Sequence, residues 1–170
     1  MVKTFTKSDI LKLLEGVLDP ELPVLSIVDL AMIRDIYIDE RSISISITPT
    51  YSGCPATETI FKEAENVIRN AAGPEIDVTV NKVLFPPWTT AWLSCAAREK
   101  LTQFGIAPPL SDVTRLAQPY RRRALEGCNV RCPRCGSTST TELSHFSSTS
   151  CKALYRCEVC IETFEHMKDF

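Results

Sequence analysis

The chain has 170 residues, 44% of them hydrophobic and 24% charged, and a formal net charge of −2 at pH 7. That length holds one domain or two small ones, its composition is ordinary for a soluble globular protein, and it contains no internal repeat, low-complexity tract or membrane-length apolar run. So small a net charge sets up no overall field for or against nucleic acid.

The first element is predicted from Thr6-Lys7-Ser8-Asp9, a helix-capping signal in which Ser8 or Thr6 accepts from the first free amides. Ile10, Leu13, Leu14, Val17 and Leu18 then recur at helical spacing, so residues near 8 to 18 form an amphipathic helix. Asp19-Pro20-Glu21-Leu22-Pro23 stops it, because the residue before a proline is pushed out of the helical region. Met32, Ile36 and Ile38, and then Ile43, Ile45 and Ile47 alternating with serines, predict two strands joined by a turn at Asp39-Glu40-Arg41-Ser42.

Thr48-Pro49-Thr50-Tyr51-Ser52-Gly53-Cys54-Pro55 leads into a second helix. Pro55 suits its first position, which places Cys54 at the N-cap. Ile60, Phe61, Ala64, Val67, Ile68 and Ala71 make its apolar stripe, and Gly73-Pro74 ends it. Ile76, Val78 and Val80 alternate as a third strand, and a last helix runs from about Thr90 to Gln103 before Gly105. The order α-β-β-α-β-α predicts an α+β fold, a small three-stranded sheet packed by helices, followed by a small metal-bound β ribbon. The expected limits are 1–108 for the first domain, 109–127 for a linker with the charge run Tyr120-Arg121-Arg122-Arg123, and 128–170 for the ribbon.

The ribbon rests on two knuckles, Cys132-Pro133-Arg134-Cys135 and Cys157-Glu158-Val159-Cys160. Each C-x-x-C lets the chain curl round one tetrahedral ion and offer it two thiolates. A segment of about forty residues buries too little apolar surface to fold alone, and a metal is the usual remedy. Disulfides are the competing reading, but Met1 to Lys12 has scattered charges and no apolar core before a cleavage site, so a reducing cytoplasm is expected. Zinc fits a closed four-thiolate site, while iron or an iron–sulfur cluster shares the same all-sulfur geometry. Gly136 follows the first knuckle, where a left-handed turn is cheap for glycine, but Ile161 holds that place in the second. Cys128 and Cys151 are further thiols in the segment: ligands, resolving thiols or filler.

Cys54 is the reactive candidate of the first domain. At a helix N-terminus, the macrodipole and the free amides favour its thiolate, and Thr48 and Thr50 offer hydroxyls to a bound anion or sulfur. A small buried hydrophobe is the alternative. Asp19 and Glu21 are explained equally by helix termination, and Asp29 by capping a turn.

Asp19-Pro20-Glu21-Leu22-Pro23, Ser26-Ile27-Val28-Asp29-Leu30 and Thr48-Pro49-Thr50 leading to Gly53-Cys54-Pro55 resemble the iron–sulfur assembly domain of SufT-like proteins, over residues from about 8 to 105. With Phe85-Pro86-Pro87-Trp88-Thr89-Thr90, Gly105-Ile106-Ala107-Pro108-Pro109 and Cys151-Lys152-Ala153-Leu154-Tyr155-Arg156-Cys157, the whole chain resembles the PaaD-like family of phenylacetyl-CoA epoxidase (ring-1,2-epoxidase) subunits, which joins that domain to a four-cysteine zinc ribbon. Ala31 stands where the family usually carries glycine, which implies that the backbone there need not adopt a positive φ, and it touches no expected ligand.

The resemblance implies a non-catalytic accessory component of a multicomponent monooxygenase in aerobic phenylacetate degradation, assisting maturation of an iron–sulfur or di-iron centre. It implies a role for Cys54 in handling a cluster or sulfur, with Thr48, Thr50, Asp19 and Glu21 around it, and metal ligation by Cys132, Cys135, Cys157 and Cys160. The implied partners are a di-iron oxygenase subunit and a reductase subunit carrying a flavin and a [2Fe-2S] cluster; a homodimer stays open. No di-iron ligand set of the Glu-x-x-His type is expected, His145 and His166 being read without such a partner, and there is no Gly-rich dinucleotide motif. A structural docking subunit and a rubredoxin-like electron carrier are the alternatives. Nucleic-acid binding ranks below these, since Arg131, Arg134 and the arginine run lack interleaved aromatics.

Overall fold

Thr6 and Asp9 settle where the chain first becomes helical. The Thr6 hydroxyl accepts from the Asp9 amide at 3.2 Å while the Asp9 carboxylate accepts from the Thr6 amide at 2.9 Å, a reciprocal capping box. Helix α1 spans Lys7–Leu14 and buries Ile10 and Leu14. It stops short of the expected 18 because Val17 and Leu18, which continue the helical spacing, enter a hairpin instead. Strands β1 (Leu18–Asp19) and β2 (Leu22–Ser26) pair antiparallel. The turn between them is held by Asp19, whose Oδ1 accepts from the amides of Glu21 at 2.7 Å and Leu22 at 3.2 Å. The computed structural model describes residues 5–110 and 130–170.

Ser26 and Asp29 close the next turn by exchanging side-chain and backbone hydrogen bonds at 3.0 Å, so Asp29 does cap a turn. Ala31 then takes φ 51°, so the positive φ that alanine leaves optional is adopted here without a glycine. The turn that presents the Leu30 carbonyl to Trp88 Nε1, at 2.7 Å, sits at this left-handed residue. Strands β3 (Ile33–Ile38), β4 (Ser42–Ile47) and β5 (Asp77–Lys82) form a three-stranded sheet in that order, β3 antiparallel and β5 parallel to β4. Because side chains alternate along a strand, Ile43, Ile45 and Ile47 all face the core, at 1% exposure or less. Helix α2 (Thr57–Ala72) packs on β5 and on α1, with Ile60, Ala64 and Ile68 buried; full burial of one such isoleucine is worth about 1.5–3 kcal/mol.

Helix α2 begins two residues later than expected, after two successive turns: the Cys54 amide donates to the Tyr51 carbonyl at 3.3 Å, and the Thr57 amide to the Cys54 carbonyl at 3.2 Å. Its N-cap is Ala56, not Cys54. The last expected helix is also divided. A 3₁₀ turn covers Thr90–Trp92, Leu93 is extended, and α3 covers Cys95–Phe104.

Contacts divide the chain into two compact units, the first ending at Ser94 and the second starting at Cys95. After Gly105, at φ 90°, strand β6 (Ile106–Ala107) pairs with β9 and joins the ribbon sheet. With β7 (Thr140–Ser144), β8 (Lys152–Cys157) and β9 (Thr163–Met167), the sheet has the order β6-β9-β8-β7. Ala107, Val130, Cys132, Cys157 and Phe164 form its core. Beside the core, Glu165 accepts from Lys152 Nζ at 2.7 Å and from the Ser147 and Ser148 hydroxyls, each at 2.7 Å. Of the expected linker, Pro109 accepts from Arg98 and Leu110 donates to Asp169; Tyr120, the arginine run and Cys128 lie outside the described residues. Among the described residues no helix is long and apolar enough to cross a membrane.

Candidate metal centre and the Cys54 site

The two knuckles are built alike. In the first, the Gly136 amide donates to the Cys132 carbonyl at 2.9 Å, and the Cys132 amide to the Ser137 carbonyl at 2.9 Å. In the second, the Cys157 amide donates to the Glu162 carbonyl at 2.9 Å. Gly136 has φ 74° and Ile161 has φ 64°, so the second knuckle makes the same left-handed turn without a glycine. Arg134 in one knuckle pairs with Glu162 beside the other at 2.9 Å.

The Sγ atoms of Cys132, Cys135, Cys157 and Cys160 all lie within 4.8 Å of one another. Cys132 and Cys160 are 3.7 Å apart, Cys135 and Cys157 3.5 Å. A tetrahedral ion with sulfur at about 2.3 Å needs sulfurs about 3.8 Å apart, so the four thiols fit one ion. The backbone prepares the ligands: the Cys160 amide, with help from that of Val159, lowers the Cys157 thiol to about 6 against its burial. Cys160 is pushed up to about 12; the Glu162 amide favours its thiolate, but burial and the neighbouring sulfurs outweigh that amide. Four thiols this close do not all ionise unless a cation joins them. Cys151 stands outside the cluster, buried beside the Thr149 hydroxyl at 3.1 Å.

The Cys54 site lies in the first unit, between the turn after β1 and the loop after β4. Cys54 is half-buried. Its thiol is raised above its ordinary value of 9.0, first by burial and then by the carboxylates of Glu21 and Asp19; the Ala56 amide and the Thr57 hydroxyl act the other way. The expected thiolate-favouring helix terminus is thus corrected. The helix starts at Thr57, and burial, with the negative charge of the Asp-Pro-Glu turn added to it, prevails over the amide at the sulfur. Thr48 and Thr50 are buried in the loop that leads to Cys54, at 1% and 7% exposure. The Thr48 Oγ1 has no hydrogen-bond partner among the described residues. Thr57, which faces the sulfur, is absent from the sequence-based set because a threonine opening a helix reads as a cap. Cys95, exposed at the start of α3, is also absent from that set.

One reading of the histidines needs correcting. Glu142 stands three residues before His145, with Nδ1 and Oε1 3.4 Å apart, so the Glu-x-x-His spacing does occur once. Both side chains are largely exposed, at 41% and 66%, and Glu142 lies on strand β7, so the pair is not the inward-facing helical pair of a di-iron bundle.

A family model described as an iron–sulfur cluster assembly protein matches residues 7–81, and one described as the PaaD zinc beta ribbon domain matches residues 117–168. An Escherichia coli (strain K12) protein named as a subunit of 1,2-phenylacetyl-CoA epoxidase is 41% identical over 94% of this chain and 91% of its own length. The chain belongs to the PaaD family of phenylacetyl-CoA epoxidase subunits. The first unit has its own relatives. The iron–sulfur protein maturation auxiliary factor YitW of Bacillus subtilis (strain 168) is 37% identical over 54% of this chain and 89% of its own. A solved domain of unknown function, DUF59, from Bacillus anthracis superposes with a TM-score of 0.52 at 33% identity, covering 56% of this chain and 90% of that one. The PaaD family thus joins a stand-alone maturation-factor fold to a metal ribbon in one polypeptide.

Proposed function

We propose that this chain is a non-catalytic maturation subunit of a phenylacetyl-CoA epoxidase complex, which helps build or insert an iron–sulfur or di-iron centre in a partner subunit. The observation that carries the reading is the Cys54 thiol set beside Asp19, Glu21 and Thr57, within a unit that matches an iron–sulfur cluster assembly family. Cys54 is the transient holder of cargo, and Asp19 and Glu21 tune it. Thr48 and Thr50 shape the loop that presents it.

Cys132, Cys135, Cys157 and Cys160 hold zinc in this reading. Bound there with four protein thiolates, zinc keeps no open position and supplies folding energy rather than chemistry. The partners are a di-iron oxygenase subunit and a flavin and [2Fe-2S] reductase subunit, in the cytoplasm. The name of the Escherichia coli relative as a subunit of the epoxidase supports that company.

The test is a strain carrying only Cys54→Ser. Expected is a folded variant that keeps its ribbon metal, with reduced iron content in the oxygenase or reductase subunit. Full occupancy of both partners sinks the reading. A docking subunit is the second reading, favoured by Val159 and Ile161, each 65% exposed on the second knuckle. It predicts stoichiometric co-purification with the oxygenase subunit and indifference to Cys54→Ser.

A further inference from the structure

The two knuckles of the ribbon share a backbone turn and differ in what they carry on it. Arg134 and Gly136 flank the second cysteine of the first knuckle, whereas Val159 and Ile161 flank that of the second. Val159 and Ile161 are each 65% exposed and stand outside the ribbon core. Ile161 also holds φ 64°, in the left-handed region that a β-branched side chain resists. Gly136, at φ 74°, shows that the same turn forms with no side chain at all. Isoleucine is therefore unfavourable twice at that place, for the backbone it strains and for the apolar surface it leaves in water. With most of its side chain exposed, packing inside the ribbon recovers little of either cost. A contact outside the chain offsets both.

The charges beside this tip indicate what it meets. Glu158 is paired with Arg156 at 3.2 Å and Glu162 with Arg134 at 2.9 Å, so they are matched within the chain. An apolar centre inside a rim of matched charge suits an anchor between proteins. Nucleic acid calls for arginines free to meet phosphate, and a short-lived redox encounter steered by charge calls for unmatched charge. A second copy meeting tip to tip would cover two side chains on each side, far short of the roughly 800 Å² per partner of a stable interface.

We propose that Val159 and Ile161 form an anchor that seats in an uncharged apolar pocket of the di-iron oxygenase subunit, and that the strain at Ile161 is kept because its side chain is needed there. The identity of that partner rests on the reading of this chain as an epoxidase subunit; the anchor itself is independent of Cys54. The reductase subunit, which passes electrons and departs, is the poorer match for a tip without steering charge.

The test titrates the zinc-loaded full chain against the purified oxygenase subunit, and separately against the purified reductase subunit, by calorimetry. Expected is binding to the oxygenase subunit that changes little with salt, because the charges round the tip are matched. Ile161→Gly and Val159→Ser each weaken it by about tenfold or more, while Ile161→Val keeps most of it. Zinc content and circular dichroism stay unchanged in each variant, and Ile161→Gly unfolds at a higher temperature than the unaltered chain. A merely structural isoleucine would not give a substitution that steadies the free chain and weakens its complex. Affinity indifferent to both Ile161→Gly and Val159→Ser overturns the proposal, as does absence of binding to the oxygenase subunit, preference for the reductase subunit, or self-association that depends on Ile161. If affinity ignores the tip while the partner's iron still depends on Cys54, the anchor fails and the maturation reading stands. If the tip carries the affinity and the partner's iron is indifferent to Cys54, the anchor is supported and the maturation reading is removed.

Discussion

Gly136 and Ile161 stand at equivalent places in the two knuckles, one residue past the second cysteine of each, and both hold a positive φ, 74° and 64°. The turn geometry of a metal knuckle is therefore imposed on Ile161 although its Cβ resists it. A left-handed residue other than glycine costs about 1–2 kcal/mol.

Replacing Ile161 with glycine removes that strain. The side chain is 65% exposed, so little burial is lost. Glycine's extra freedom in the unfolded chain gives back about 0.5–1 kcal/mol. The expected outcome is a ribbon more stable by roughly 0.5–1 kcal/mol in Ile161→Gly, measured by thermal unfolding of the metal-loaded chain. The reverse change, Gly136→Ile, lowers stability. An Ile161→Gly variant that gains nothing would show that the isoleucine side chain makes a compensating contact.

The Glu165 carboxyl gives the second unit a pH dependence of known sign. Burial alone would raise it, but hydrogen bonds from Lys152, Ser147 and Ser148 prevail and hold it at about 2, against an ordinary 4.5. Between those values the unfolded chain binds a proton that the folded chain refuses. The stabilisation is thus complete above pH 4.5 and is lost as pH falls toward about 2. Unfolding measured across that window should slope less in Glu165→Gln than in the unaltered chain. Ligand thiolates also compete with protons in acid, so the difference between the two chains, not either slope alone, is the readout. Parallel slopes would remove Glu165 from the account.

Alkylation tests the correction at Cys54. Because burial and then the carboxylates of Glu21 and Asp19 hold the thiol above 9.0, its reaction with iodoacetamide at neutral pH is expected to be slow and to climb only past that value. Asp19→Asn removes one negative charge, lowers the thiol and speeds the reaction. Mass spectrometry of the peptide containing Cys54 reads both effects. Fast alkylation at neutral pH in the unaltered chain would restore the helix-terminus account.

Metal removal separates the two units. Cys132 and Cys157 belong to the buried core of the ribbon as well as to the four-sulfur cluster. Chelation or Cys132→Ser should therefore loosen that core, exposing Phe164, while the sheet of β3, β4 and β5 stays protected in hydrogen exchange. Exchange protection of β8 and β9 that is indifferent to metal would contradict this.

Much of this was legible in the residues. The alternation of Ile43, Ile45 and Ile47 with serines placed a strand and its buried face, and the two C-x-x-C knuckles named all four sulfurs that come together. The misses have physical causes. Val17 and Leu18 keep a helical period by coincidence, and two prolines so near Asp19 read as a stop where one sits in the turn of a hairpin and the other in its second strand. Strand β6 has only two residues, too few for any alternation to register. Ala31 takes φ 51° without glycine, as Ile161 takes 64°, because the surrounding hydrogen bonds decide the backbone and residue preference does not. The sign at Cys54 was missed because burial of the thiol, and then charge from a turn some thirty-five residues earlier in sequence, cannot be read locally.

Strand β6 has a consequence for handling the molecule. Ile106 and Ala107 occupy the flank of β9 that faces away from β8. Cutting the chain at residue 128 to obtain the ribbon alone strips that flank and leaves a row of unpaired amides and carbonyls open to any extended strand. Such a fragment would hold its metal and still stick to its neighbours. A fragment beginning at Cys95 keeps its own edge guard and is the smaller piece that should stay monomeric.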